Sequence, residues 1–205
     1  MPFTAVCLGS VGAGKTRLLN LLTRSNDEKE EEGETEPLPT VGINHFDVKE
    51  EKQEEYPKCF SLFCRKRRVV DPNLPHLTIR EFGGALQAAW LTYLQGAVSN
   101  DLKGFIYVVD ASTSYRFSEA GVHLVDVIDK LERIQSHIRV LIVFSKVDLV
   151  EKSCKSRLLT EAKTLLRLDH LSKWCNYCTF DQVEYSALDE SGLEFILNWC
   201  HDLYT

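Results

Sequence analysis

No stretch of the chain approaches the roughly 20 consecutive apolar residues that a membrane-spanning helix requires. The opening MPFTAVCLGS lacks the charged and apolar regions of a secretory signal peptide, and Pro2 stands where N-myristoylation needs a glycine. The closing HDLYT carries no terminal cysteine box, so the expectation is of no encoded lipid anchor and a cytoplasmic location. A disulfide framework is also missing: seven cysteines, an odd number scattered through polar and apolar segments, fit reduced thiols better. Cys175 and Cys178 have a metal-like spacing, with Cys59 and Cys64 as a distant second pair, but the irregular partner spacing and aromatic neighbours favour packed or free thiols over zinc. There is no excess of positive charge. With 24 basic and 30 acidic residues the net charge is −6, which gives no whole-chain reason to expect a nucleic-acid partner. Internal repeats are absent too.

What is present is a chain of 205 residues, 44% hydrophobic, long enough for one substantial α/β core and short for two domains. The apolar run Phe3–Leu8 leads into a glycine loop and then into Leu18, Leu19, Leu21 and Leu22 at helical spacing: strand, loop, helix. Further strands are expected at 77–82, 104–110, 137–145 and 180–186. Between them runs an apolar stripe through Phe117, Ala120, Leu124, Val127, Ile128, Leu131 and Ile134, and after them a second through Leu193, Ile196, Leu197 and Cys200. Near-continuous apolar strands alternating with amphipathic helices indicate an α/β fold with a mostly parallel sheet covered on both faces. Val41–Val48 is expected as an antiparallel edge strand beside 77–82.

Two segments break the alternation. Residues 26–39 hold seven acidic residues, one Lys and two prolines, a composition that favours a mobile loop. Residues 49–76 run from an acidic half to the basic cluster Arg65–Arg68, and suit an elaborated hairpin or a functional loop. The basic cluster beside Phe60, Leu62 and Phe63 suits a solvated hairpin arm or transient contact with an anionic membrane.

Gly9-x4-Gly14-Lys15-Thr16 matches the P-loop pattern in the context that pattern requires, between a strand and a helix. Its glycines let backbone N–H groups approach phosphate oxygens, and the new helix aims its positive end at the same charge. The candidate phosphate-binding residues are Gly9, Gly12, Ala13, Gly14, Lys15, Thr16 and Arg17, with Lys15 on the β- and γ-phosphates and the Thr16 hydroxyl on magnesium. Ser145-Lys146-Val147-Asp148 follows an apolar strand and points to guanine, because the Asp148 carboxylate can accept from guanine N1 and N2, which adenine cannot offer. The Lys146 stem can lie along the purine, and Ser186-Ala187 can present a backbone N–H to guanine O6.

With these motifs in order, the chain resembles the small GTPases, and within them the ADP-ribosylation-factor-like branch. Pro39-Thr40-Val41-Gly42 is similar to that branch's first switch, and Arg80-Glu81-Phe82-Gly83-Gly84 stands where the family has Trp-Asp-x-Gly-Gly-Gln. The resemblance covers nearly the whole chain apart from the two insertions. It implies that Thr40 completes the magnesium shell, that Gly84 senses the γ-phosphate, and that the segments near Thr40 and from Gly83 to Trp90 are switches meeting effector proteins. GTP or GDP with Mg2+ are the implied cofactors, activating or exchange proteins the implied regulators, and a monomer the implied state.

Four departures qualify those implications. Glu81 replaces the Asp that reaches magnesium through water. Ser145 replaces the Asn that ties the guanine loop to the P-loop, so a loss of one or two hydrogen bonds and weaker nucleotide binding are expected. Ala85 replaces the Gln that orients the attacking water, so hydrolysis is expected to be weak or partner-dependent, with Gln87 a poorly placed substitute. The first strand starts almost at Met1, so the amphipathic N-terminal helix of that branch is not expected. A scaffold with a fixed nucleotide state is the alternative to a switch. A P-loop kinase would need an acceptor pocket and an arginine-bearing lid, and would leave the Asp148 motif without a role.

Overall fold

The computed structural model describes residues 3–23, 39–49, 51–53, 68–70, 76–97, 102–133 and 137–203. The acidic segment apart from Pro39, both Cys59 and Cys64, and Arg65–Arg67 lie outside the described residues, as does Ile134.

A six-stranded sheet forms the centre, built from β1 (Phe3–Gly9), β2 (Ile43–Lys49), β5 (His76–Phe82), β6 (Leu102–Asp110), β7 (Ile138–Ser145) and β8 (Cys178–Glu184). Its order is β2-β5-β1-β6-β7-β8. All neighbours run parallel except β2, which pairs antiparallel with β5 so that Ile43 faces Phe82 and Lys49 faces His76. The expected edge strand is therefore present, though it starts at Ile43 rather than Val41. Two short strands, β3 (Glu51–Gln53) and β4 (Arg68–Val70), pair antiparallel with each other.

Strand position follows from the apolar pattern. Beyond its second residue, each of β6 and β7 is buried at every position, as a central strand covered on both faces must be. β8 alternates with exposed residues, which suits the open edge. One face is covered by α2 (Trp90–Ala97), α3 (Phe117–Glu132), α4 (Lys152–Leu165) and α5 (Leu168–Trp174), whose Leu94, Phe117, Leu124, Leu131, Leu159 and Leu171 join Val6, Tyr107 and Val140 in one core. α1 (Lys15–Thr23) and α6 (Leu193–His201) cover the other, placing Leu18, Leu19, Ile196 and Trp199 against Ala5, Ile106 and Leu141. A fully buried leucine-sized side chain contributes about 1.5–3 kcal/mol, so these two stripes outweigh the weak helix propensity of the β-branched residues they contain.

Two further strands are displaced from the sequence reading by two residues at one or both ends. β6 begins at Leu102, and β8 spans 178–184 rather than 180–186. The second difference frees Tyr185, Ser186 and Ala187 from the strand and turns them into a loop. Because the strands are parallel, the C-terminal ends of β1, β5, β6, β7 and β8 open at one end of the sheet, which is where ligands bind in folds of this kind.

Candidate functional site

The loop after β1 owes its path to backbone freedom: Gly12 and Gly14 have φ of 77° and 86°, in the left-handed region that side chains disfavour. Lys15 opens α1 with its side chain turned back over this loop, where Nζ donates to the carbonyls of Gly9 at 2.9 Å and Ser10 at 3.0 Å. An ammonium has three donors, so one remains for a phosphate oxygen. Burial of Lys15 pulls its pKa below the usual lysine value, opposed by the neighbouring Cys7 and Glu81. The same burial pushes the Cys7 thiol far up, which makes it an inert packing group under the loop.

A cavity of about 310 Å³ lies over this loop, lined by Val11, Gly12, Gly14, Lys15, Thr16, Arg17, Pro39, Thr40, Glu81, Gly84 and Lys146. Residues far apart in sequence thus meet in one place. Gly9 and Ala13 shape its floor without lining it: Ala13 is fully buried, and a side chain at Gly9 would strike the Val108 carbonyl oxygen. Gln87 does not line the cavity, and Ala85 is exposed in the six-residue 3-10 helix Gly84–Ala89.

Three oxygens converge on one side of the cavity. The Thr16 hydroxyl donates to Glu81 Oε1 at 2.6 Å, the Thr40 hydroxyl contacts the same oxygen at 3.3 Å, and the two hydroxyl oxygens lie 3.1 Å apart. Adjacent ligands of an octahedral magnesium, at about 2.0–2.1 Å from the ion, are about 2.9 Å apart. The hydroxyl pair therefore fits a hard cation of this size, and the nearby carboxylate supplies the charge. Asn44, which the sequence reading passed over, donates from Nδ2 to Glu81 Oε2 at 3.3 Å because the β2–β5 register sets the two residues opposite each other. A period-two pattern on an edge strand gives no signal for such a role.

The two glycines after β5 are fixed by close approach. A side chain at Gly83 would meet the Thr40 carbonyl oxygen at 2.3 Å, and one at Gly84 would meet the Val11 nitrogen at 2.3 Å. Gly83 also donates its N–H to the Gly42 carbonyl at 2.9 Å, and the buried Trp90 indole donates to the Gly83 carbonyl at 3.3 Å. The segments around Thr40 and Gly84 are thus bonded to each other as well as packed on the loop.

The far end of the cleft is organised by β7. Ser145 donates from its hydroxyl to the Ala13 carbonyl at 2.7 Å, with the Val109 carbonyl at 3.1 Å. This corrects the expected loss of the tie to the P-loop: a shorter side chain still spans the gap because β7 brings Ser145 directly against the loop. Lys146 adopts left-handed backbone geometry, φ 57°, and reaches Asp110 Oδ2 at 2.8 Å. Asp110, at the end of β6 in register with Ser145, uses its other oxygen to accept from the Ser112 N–H and hydroxyl. No local pattern marks Asp110 for this role; its grip on Lys146 comes from the β6–β7 register. Asp148 is exposed in the turn 147–149, and Val147 N–H bonds the Tyr185 carbonyl at 3.4 Å, which sets this turn beside the Ser186–Ala187 loop. Ser186 N–H is engaged by the Ser191 carbonyl at 3.2 Å, so Ala187 is the donor of the pair that suits a base oxygen. Neither Asp148 nor the Ser186–Ala187 pair lines the cavity; they lie next to each other beyond Lys146, joined through the Val147–Tyr185 bond. The Tyr185 hydroxyl is buried without a hydrogen-bond partner among the described residues, near Arg17 and Asp148.

Cys175 and Cys178 sit at the opposite end of the sheet, where Glu132 accepts from the Asn176 and Tyr177 N–H groups. Among the described residues no group of three or more His, Cys, Asp and Glu side chains is placed to hold a metal. No described helix is long and apolar enough to cross a membrane.

A six-stranded, mostly parallel sheet with one antiparallel edge strand and a phosphate-shaped loop at the first strand's end is the small-GTPase fold. Residues 64–187 match the family model described as the Gtr1/RagA G protein conserved region, and the chain belongs to that G protein family. Guanine-nucleotide binding follows from the family. Solved structures with the same fold include the Arl6 BBS3 small GTPase from Trypanosoma brucei with a bound nucleotide analogue, 17% identical, TM-score 0.57, covering 98% of this chain and 96% of that one. Another is the SRb-GTP/SRX signal recognition particle receptor complex from Chaetomium thermophilum, 17% identical, TM-score 0.60, covering 97% and 98%. A third is a bacterial selenocysteine-specific elongation factor, 19% identical with TM-score 0.54, of which the match spans only 29%. At these identities the structures establish fold. No curated protein sequence matches the chain.

Proposed function

We propose that the protein is a guanine-nucleotide-binding molecular switch of the Arf-like kind with weak or partner-dependent GTP hydrolysis, a single domain carrying two insertions. The observation that carries this reading is the meeting of Lys15, Thr16, Thr40, Glu81, Gly84 and Lys146 around one cavity. In it, the loop 9–17 holds the phosphates, Thr16 and Thr40 hold Mg2+ with help from Glu81, and Gly84 meets the γ-phosphate. Lys146 supports the purine face, Ser145 secures the loop, Asp148 reads the guanine edge, and Ser186-Ala187 meets O6. When bound, the cation draws charge from the phosphates; the chain's own part is to orient them and exclude water. The tract Arg80-Glu81-Phe82-Gly83-Gly84-Ala85 is most similar to that of ADP-ribosylation-factor-like protein 16. The family match is to another branch of the same fold, so the Arf-like placement rests on that tract and on Pro39–Gly42.

Unaided hydrolysis is slow in this reading because Ala85 has no polar group to orient water and Gln87 lies away from the cavity. Exposed Val41 lies in the first switch segment, Ile43 on β2, and Leu91 and Tyr93 on the helix that follows the second segment; apolar side chains of this kind suit contact with effector proteins. The SRb structure is of a complex with SRX, and activating or exchange proteins are the expected regulators here. The setting is cytoplasmic and monomeric, with transient membrane contact through Arg65–Arg68, which lie outside the described residues apart from the Arg68 backbone. The exposed methyl of Ala85 favours one alternative, a non-hydrolysing scaffold with a fixed nucleotide state.

Affinities for GDP and a non-hydrolysable GTP analogue, single-turnover hydrolysis with and without cell extract, and effector capture in each state test the reading. A switch binds both nucleotides and captures effectors in one state. Equal capture in both would leave the scaffold, and no guanine-nucleotide binding would refute both.

A further inference from the structure

The bonds that place Thr40 beside Thr16 are made by the protein itself. Thr40 Oγ1 lies 3.3 Å from Glu81 Oε1, the same carboxylate oxygen that Thr16 Oγ1 holds at 2.6 Å. Both hydroxyls are thus gathered by one acceptor, and their oxygens stand 3.1 Å apart, close to the cis-ligand spacing of an octahedral magnesium, about 2.9 Å. The carboxylate is 1% exposed and cannot swing freely: Asn44 Nδ2 holds its other oxygen at 3.3 Å, from the position directly across the β2–β5 pair. The Thr40 segment has a second tether. Gly83 donates to the Gly42 carbonyl at 2.9 Å, and the Thr40 carbonyl packs against Gly83 so closely that a side chain there would stand 2.3 Å from it.

An aspartate at position 81 would be one methylene shorter, about 1.5 Å of bond length, and its oxygen would fall short of both hydroxyls at once. Glutamate has the reach. Orientation of metal ligands by a hydrogen-bonded carboxylate is a general device for fixing ligand position ahead of the metal.

Building on the guanine-nucleotide reading above, we propose that Glu81, oriented by Asn44, is a positioning residue that keeps the Thr40 hydroxyl beside Thr16, so that Thr40 ligates the cation in the GDP state as well as in the GTP state. Loss of the γ-phosphate then removes only one of several tethers on Thr40. The nucleotide-dependent movement is confined to the segment from Gly84 to Trp90, where Gly84 packs on the Val11 backbone. The surface near Thr40 becomes a constant platform, and the state of the nucleotide is read from the second segment alone.

The test counts water on the cation. The full chain is loaded with GDP and Mn2+, and inner-sphere waters are counted from 17O-water broadening of the Mn2+ resonance, for the native chain, for Thr40→Ala and for Glu81→Asp. The expected result is one additional water in Thr40→Ala with GDP bound, and a loss of Mn2+ affinity of at least about tenfold. Glu81→Asp, which cannot gather both hydroxyls, is expected to gain the same water with Thr40 intact. Equal water counts for native and Thr40→Ala with GDP bound overturn the proposal while leaving the switch reading standing. Failure of the native chain to bind GDP overturns both. The Thr40→Ala comparison by itself can still overturn the proposal if the buried Glu81→Asp variant does not fold.

Discussion

Replacing Ser145 with Ala removes the hydroxyl that joins the end of β7 to the P-loop. The hydroxyl carries one proton and has two carbonyls in reach, Ala13 at 2.7 Å and Val109 at 3.1 Å, so the shorter bond to Ala13 takes it. Ser145 is 1% exposed and Ala13 fully buried, so no water replaces the lost donor at the Ala13 carbonyl. A buried acceptor left unsatisfied costs about 1–3 kcal/mol; a mid-range loss of about 2 kcal/mol corresponds to a fall in Tm of about 4–8 °C for a chain of this size. The released carbonyl sits in the loop that shapes the phosphate site, so part of the same energy should appear in nucleotide release. With 1.4 kcal/mol equal to a factor of ten, GDP dissociation is expected to accelerate between about threefold and tenfold. Thermal unfolding by circular dichroism and stopped-flow release of a fluorescent GDP measure the two effects. A Tm change below about 1 °C would show that the bond carries no stability. A lowered Tm with an unchanged release rate would show that Ser145 secures the sheet but not the phosphate loop.

Gly84→Ala would drive a methyl into the Val11 and Ser10 backbone, where no flexible side chain can yield. Affinity for a GTP analogue should drop by at least about tenfold with GDP affinity little changed, since a buried steric conflict of this kind costs about 1–3 kcal/mol; titration with both nucleotides checks it, and equal losses would refute a γ-phosphate role. Ala85 is exposed, so Ala85→Gln adds its side chain without steric cost, and single-turnover hydrolysis should rise by about tenfold or more if a water-orienting amide is what the site lacks. An unchanged rate would place the defect elsewhere. Cys175 is pushed up to about 11, by burial first and by the Glu132 carboxylate second. A raised thiol pKa means that the reactive thiolate appears only as pH rises, so iodoacetamide labelling of Cys175 followed by mass spectrometry should grow about tenfold per pH unit from pH 8 to 10. Half-maximal labelling near pH 8.5 would contradict the burial seen here.

Local patterns carried most of the architecture. The apolar runs of β1, β5, β6 and β7 and the stripes of α3 and α6 are properties of short windows, and they located every one of those elements. Strand ends were less legible: the β8 ladder closes with the Tyr185 N–H on the Phe144 carbonyl, and the next N–H, that of Ser186, turns to the Ser191 carbonyl instead, a matter of register rather than composition. The phosphate loop was readable because its glycines and Lys15 must be contiguous to work. The roles of Asn44 and Asp110 were not readable, because each acts across a strand pair on a residue more than thirty positions away.

By itself, then, the sequence determined the class of chemistry: a phosphate loop, a carboxylate suited to guanine, and the missing polar side chain at Ala85 are each contained in a few consecutive residues. The tertiary structure alone decided how those pieces bear on one another. It showed that Ser145 keeps a tie that its short side chain seemed to have surrendered, because sheet packing brings Ala13 to it. It also showed that Glu81 reaches both Thr16 and Thr40, because the antiparallel β2 strand sets Asn44 behind it. Distances between residues 16, 40 and 81 come from the folded sheet, and no local pattern encodes them.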